Sequence, residues 1–239
     1  MTSVNKSPSV NKSPSVNKSP SKLWITVRDK NNIDECILNN INNIKNMNSH
    51  YELLLIDNND FENILIKEKK LEWLNYYLKL NKNLGAMIGD YIRYCLLYLY
   101  GGVYIDCKSF CKYPFDRLIN SETKPIFFEW KTQNVDEYLN YFLISPPKQP
   151  VYLDIINSIN KNIDNYNPLE YNINYSKRNV LEFTGPHFIK NIIDEHIDEV
   201  HIKNNEYRKK TLVYVKIKNH DRKFGVTHYS KIHQHLVIK

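Results

Sequence analysis

One segment constrains this chain more than any other. From Gly85 to Tyr100 the residues are apolar, aromatic or small, and Asp90 and Arg93 carry the only charges. Ile88, Ile92, Cys95, Leu96 and Leu99 recur at helical spacing, which predicts a helix over roughly 84–100. Gly101-Gly102 is a helix stop, and Val103-Tyr104-Ile105 reads as a strand running straight into Asp106. Asp90 and Arg93 lie three apart, on a face away from the apolar stripe. Asp90 is expected near the first turn, where free N–H groups attract anions. The two glycines permit a tight reversal and close backbone approach. Taken singly, these features are a surface ion pair and a helix end. Together, at this spacing, they point to a site.

The rest of the pattern alternates. Residues 23–27 form a β-rich run, and Ile33, Ile37, Ile41 and Ile44 follow at helical spacing. Residues 53–56 read as a buried strand ending in Asp57-Asn58-Asn59-Asp60, a turn cluster. One helix is expected over 61–80, strands over 125–130 and 141–145, and helices over 151–163 and 187–197. β-type runs over 211–217 and 224–229 close the chain. Such alternation predicts an α/β layered fold with a mostly parallel central sheet. Ligands of such sheets bind beyond the carboxyl ends of the strands. Two acidic clusters sit at such ends, Asp57/Asp60 and Asp106.

Composition excludes several classes. The 239 residues suffice for one sizeable core, and 13% aromatic content argues against a chain disordered throughout. Val-Asn-Lys-Ser-Pro-Ser occurs three times in succession over 4–21. That unit cannot bury an apolar face, so residues 1–22 are expected to be a disordered basic tail and 23–239 the folded domain. The tail carries four lysines and no acid, more than half of the net charge of +7. The nearly balanced remainder, with 27 Lys to 6 Arg overall, argues against a nucleic-acid partner and fits codon bias from an AT-rich genome. No stretch reaches the roughly 18–20 apolar residues of a membrane span, and no signal peptide is seen. The four cysteines form no CxxC pair and read as reduced thiols, so a cytoplasmic protein is expected. A P-loop, a G-x-S-x-G elbow and an HExxH helix are all missing from the sequence.

The central segment resembles a glycosyltransferase family that shares a sugar-binding region containing a DXD motif. This is the family 32-like group of mannosyltransferases and capsular polysaccharide enzymes. The family pattern, S/G-D-x-x-R-Y, then an apolar helix, then Y-G-G-[VI]-Y-x-D-x-D, stands here as Gly89-Asp90-Tyr91-Ile92-Arg93-Tyr94 and Tyr100-Gly101-Gly102-Val103-Tyr104-Ile105-Asp106-Cys107-Lys108. Phe183-Thr184-Gly185-Pro186 is similar to the family's T-G-P step before a helix. The resemblance spans roughly 23–230 and implies a GT-A fold, a Rossmann-like nucleotide-sugar-binding sheet.

The resemblance also implies an activity: transfer of a hexose from a GDP- or UDP-sugar donor to a glycan or protein acceptor, with retention of configuration. Carried over by position, it assigns Asp90 and Arg93 to the donor sugar and its phosphates. Asp106 would face the ribose or a divalent metal, Mn²⁺ or Mg²⁺. Tyr94, Gly101, Gly102, Tyr104, Thr184 and Gly185 would shape the donor pocket. His228 is the positional analogue of a late histidine that contacts metal or phosphate, while His233 and His235 read as a solvated tail. Trp24, Trp73 and Trp130 read as core or rim packing rather than sugar platforms, and Trp24, on the first expected strand, is the one to examine.

The chain departs from the pattern at Lys108, where the family keeps its second acid. Three outcomes follow. A metal is retained through Asp106 and another residue; the Lys108 ammonium neutralises the diphosphate without a metal; or the chain binds the sugar nucleotide without turnover.

Overall fold

The structure, a computed structural model, describes residues 22–119, 124–214 and 228–238. The hexapeptide repeat, most of the expected run over 224–229 and the end of the run over 211–217 lie outside them.

β1 (Lys22–Thr26) pairs in parallel with β2 (Glu52–Ile56) on one side and with β3 (Gly102–Ile105) on the other. α1 (Glu35–Met47) crosses between β1 and β2, capped by Asp34 and burying Ile37, Ile41 and Ile44 at the expected spacing. The helices α2 (Asn58–Lys67), α3 (Leu71–Lys79) and α4 (Gly85–Tyr100) lie between β2 and β3.

Two expectations in this stretch are corrected. Asp57-Asn58-Asn59-Asp60 is not a turn but the start of α2. Asp57 and Asp60 form a reciprocal capping box, which gives orphan N–H groups their acceptors. The single helix over 61–80 is two helices. Lys69 takes a left-handed conformation, φ 54°. Lys69 N–H then donates to the Ile66 carbonyl and Lys70 N–H to that of Leu65, at 3.0 and 2.8 Å. These are the two bonds of a Schellman stop built without glycine.

The central sheet has seven strands in the order β2-β1-β3-β7-β5-β6, with β8 also pairing β5. β5 is Ile126–Lys131, β6 Asp136–Tyr138, β7 Phe142–Ser145 and β8 His201–Lys203. β7 is antiparallel to both β3 and β5, while β5 and β8 are parallel. Thus β2, β1, β3, β5 and β8 run one way, as the mostly parallel reading expects, and β7 is inserted in the opposite sense. The register against β5 shifts by three residues between β7 and β6, so residues 139–141 interrupt the ladder. A separate two-stranded ribbon joins β4 (Ser109–Cys111) to β9 (Leu212–Tyr214).

Both faces of the sheet are covered. Trp24, Tyr104, Phe127 and Leu143 pack toward α4 and α5 (Pro150–Asp164). Leu23, Ile25, Val103 and Ile105 pack with the apolar residues of α1 on the other side. The alternation along β3 follows from the period of two in a strand. α4 is correspondingly buried nearly all round, Met87 to Leu97 without a break, so the single-stripe reading was too narrow. α6 (Ser176–Phe183) and α7 (Pro186–Glu195) pack on this side, and α8 (Asn205–Thr211) packs on β5. Among the described residues, no helix is long and apolar enough to cross a membrane. The four cysteines are free thiols.

Candidate functional site

The sheet order reverses at β1: β2 lies to one side of it and β3 to the other. The crevice outside the carboxyl ends of β1 and β3 is therefore the topological switch point, where open α/β sheets bind ligands. Asp106 stands there, directly after β3.

Its placement is fixed by backbone and side chain together. Asp106 N–H donates to the Tyr141 carbonyl at 2.9 Å, and its own carbonyl accepts from Ser109 N–H at 2.8 Å. Asn40 on α1 holds the intervening turn by donating to the carbonyls of Cys107 and Ser109, at 3.0 and 2.9 Å. The carboxylate Oδ1 accepts the Tyr104 hydroxyl proton at 2.7 Å and lies 3.2 Å from Arg93 Nη2. A phenol has one proton, so the 2.7 Å contact between Tyr104 and Thr26 Oγ1 is donated by Thr26. The side chain is 30% exposed, and the oxygen not used by Tyr104 and Arg93 is the one left for a ligand.

Asp90 and Arg93 sit behind it, only 3% and 4% exposed. Both lie beyond the first turn of α4, away from its free N–H groups. Arg93 is fully engaged. Nε donates to the Gly89 carbonyl at 3.0 Å, Nη1 donates to the Asn140 carbonyl, and Nη2 lies 3.3 Å from Asp90 Oδ1. The guanidinium also stacks 4.6 Å over the Tyr104 ring. Asp90 accepts from Asn140 Nδ2 at 2.8 Å and from Thr184 Oγ1 at 2.7 Å. Burial pushes the Asp90 carboxyl up to about 7, against the pull of Arg93 and of the Thr184 hydroxyl. Arg93, between Asp106 and Asp90, is held charged. Arg93 thus lies between the two carboxyl groups, and Asp106 is the one exposed to the crevice.

The structure brings Asp90, Arg93 and Asp106 together, but at different depths. Asp90 and Arg93 form a buried base under Asp106 rather than an exposed ion pair. Tyr94 is fully buried and donates to the Thr184 carbonyl at 3.1 Å. Tyr104 is equally buried and reaches Asp106 from below.

The glycines are placed elsewhere. Gly101 ends α4 and Gly102 opens β3, the latter roughly 13 Å from Asp106 at the rise of a strand. A Cβ on Gly101 would meet Ser145 O at 2.7 Å, and one on Gly102 would meet Lys22 O at 2.4 Å. With φ of 63° and 103°, they serve close strand packing at the far end of the sheet. Gly185 caps α7, and a Cβ there would strike Leu181 at 2.8 Å, so it permits the tight turn from α6. Trp24 is 3% exposed and donates its indole N–H to the Gly101 carbonyl at 2.8 Å, which makes it a strut rather than a sugar platform. Asp57 and Asp60 are occupied by the α2 cap, and Asp60 also pairs with Lys30 at 2.6 Å. Lys108 is half-buried in the turn after Asp106. His228 is exposed and caps the short turn 229–231, with Nδ1 2.7 Å from Ser230 Oγ.

Sequence reasoning missed Thr26, Asn140 and the backbone role of Tyr141. Asn140 belongs to the interruption between β6 and β7, and it reaches α4 across the fold. Only the edge of the run over 141–145 marks its neighbourhood in the sequence.

Residues 22–125 match the family model of the glycosyltransferase sugar-binding region containing DXD motif. Among solved structures the chain is similar to PaToxG Glycosyltransferase, with a TM-score of 0.56 and 14% identity over 74% of this chain and 70% of that one. No curated protein matches the chain. The match to that region thus lies on a mixed α/β, GT-A-like fold, with Asp106 at the crevice of the sheet.

Proposed function

We propose that the chain is a glycosyltransferase that moves a hexose from a nucleotide-sugar donor to a glycan or protein acceptor, with retention. The observation that carries this reading is Asp106. A carboxylate anchored from below by Arg93 and Tyr104, with one oxygen left outward, stands at the ligand crevice of the sheet. Anchored groups of this kind cost little reorganisation when charge develops beside them.

In the reaction, the bond from the sugar anomeric carbon to the phosphate oxygen breaks, and its electron pair leaves with the nucleoside diphosphate. An acceptor hydroxyl forms the new bond on the same face, and its proton passes to the departing phosphate oxygen. That route needs no separate protein base. Asp106 orients the donor, while Asp90, Arg93, Tyr104, Asn140 and Thr184 position Asp106. The Lys108 ammonium, two residues on, supplies positive charge to the leaving diphosphate.

Mn²⁺ or Mg²⁺ would suit carboxylate and phosphate oxygens. The described residues do not fit a metal held by the protein alone. Asp106 offers one oxygen, Lys108 replaces the second acid, and no group of three metal-ligating side chains occurs among them. No step is therefore routed through a metal.

Lys108 also supports a second reading, a sugar-nucleotide-binding relative without turnover. A thermal-shift screen of GDP- and UDP-hexoses, with Mn²⁺ and with EDTA, tests the family of readings. A shift with one donor, together with release of its diphosphate, supports transfer. A shift without release under any metal supports the binding module, and no shift with any donor rejects both.

A further inference from the structure

The end of the sheet opposite the crevice carries a cluster of lysines. β1 begins there at Lys22 and β3 at Gly102, and Ser145, the last residue of β7, pairs with Gly102. Lys148 follows β7 closely, and its N–H donates to the Tyr98 carbonyl near the end of α4, at 2.7 Å. The Tyr100 hydroxyl donates to Glu68 at 2.9 Å, which brings the turn between α2 and α3 to the same end. That turn holds Lys67, Lys69 and Lys70.

Codon bias adds lysines, but it does not explain how these are seated. The Lys70 ammonium lies 4.9 Å from the centre of the Trp73 ring, Trp73 meets Tyr98 edge-on at 5.6 Å, and the Lys148 ammonium lies 4.7 Å from the centre of Tyr98. Among the described residues other than glycine, Lys69 and Lys148 have positive φ, 54° and 61°. Glycine is the residue such backbone favours, so each lysine is held against local strain. Lys22 is paired with Glu52 at 2.9 Å, whereas Lys67, Lys69, Lys70 and Lys148 form no ion pair among the described residues. Two acids stand nearby, Glu68, bonded to Tyr100, and the exposed Glu72. Ile66 and Leu71, on either side of the lysine turn, are 54% and 57% exposed. The residues that precede Lys22 add Lys6, Lys12 and Lys18 and no acid, and they join the domain at this end.

Unpaired ammonium groups around exposed aliphatic side chains fit the surface of an anionic bilayer. The headgroups neutralise the lysines, and the aliphatic side chains leave water at the acyl boundary. A nucleic acid would meet the charges but leave Ile66 and Leu71 without a partner.

We infer that this face docks peripherally on an anionic bilayer, through Lys67, Lys69, Lys70 and Lys148, with Ile66 and Leu71 entering the headgroup region. The crevice that holds Asp106 opens at the other end of the sheet, so docking leaves it facing water. The inference is independent of the glycosyl-transfer reading.

The test is co-sedimentation of the full chain with vesicles of phosphatidylcholine, with and without phosphatidylserine. Binding is expected only where phosphatidylserine is present, and it should weaken as salt is added. Lys69→Gly combined with Lys148→Gly removes two charges and relieves both strained conformations, so the parent's thermal stability should be retained. Its affinity for the same vesicles should fall about tenfold, with UDP and GDP binding unchanged. Leu71→Ser should weaken vesicle binding as well, at constant charge. Absence of vesicle binding by the parent overturns the inference. So does undiminished binding by the double glycine variant, which would assign the attraction to the residues before Lys22. Displacement of the parent from vesicles by a short DNA duplex, with Leu71→Ser binding vesicles as the parent does, also overturns it in favour of a nucleic-acid face.

Discussion

Arg93 Nη2 lies 3.2 Å from Asp106 Oδ1, so a residue buried in α4 sets the position of the carboxylate at the exposed end of β3. The same nitrogen is 3.3 Å from Asp90. Burying such charges is expensive, and an apolar trio of similar volume would often be at least as stable. The cluster is better explained by what it holds than by the stability it adds.

Arg93→Lys is the first consequence. A lysine ammonium cannot span the Gly89 carbonyl, the Asn140 carbonyl and two carboxylates at once. The variant is expected to lose roughly 3 kcal/mol of stability in urea denaturation. It should also lose diphosphate release beyond what the unfolded fraction explains. Parental stability would show that the cluster is not held by Arg93.

Gly102→Ala separates packing from binding. The new Cβ would fall 2.4 Å from Lys22 O at a φ of 103°. A loss of about 2 kcal/mol or more is expected from strain and clash. The fraction that remains folded should bind donor normally in a calorimetric titration. Weakened donor binding by that fraction would return the glycine to the donor pocket.

These contrasts show what was legible in the sequence. The apolar helix, the double glycine, the short strand and Asp106 follow one another in the chain, so local periodicity and spacing reveal them. The stop at Lys69 was hidden because a left-handed helix end usually carries glycine, and here it carries lysine. The depth of Asp90 and Arg93 was hidden for another reason. It depends on Thr26, Asn140 and Thr184, which reach the cluster from distant segments and share no local pattern with it. The insertion of β7 against its neighbours is likewise a matter of topology, not of periodicity.

A pH effect is expected away from the site. His196 lies 2.8 Å from Asp154 and 3.2 Å from Glu199. Burial alone would lower its pKa, but the two carboxylates prevail and raise it above the ordinary 6.5. A folded pKa above the unfolded one gives stability that is complete below about 6.5 and lost as pH rises through the folded value. Urea midpoints of the parent should therefore fall relative to those of His196→Gln over that rise. Parallel profiles would contradict the assignment.

Lys108→Asp restores the second acid of the motif. The parent is expected to release diphosphate equally with Mn²⁺ and with EDTA. The variant is expected to need Mn²⁺, since two carboxylates and a diphosphate then meet without the Lys108 ammonium. Inhibition of the parent by EDTA would show that Lys108 does not take the place of a metal.

The central claim is that Asp106, held by Arg93 and Tyr104, is the residue around which transfer occurs. Its most direct test is the rate of nucleoside diphosphate release from the bound sugar nucleotide, measured for the parent and for Asp106→Asn at equal folded concentration. Release by the parent and a fall to the uncatalysed background in the variant is the expected result. Undiminished release by Asp106→Asn would contradict it.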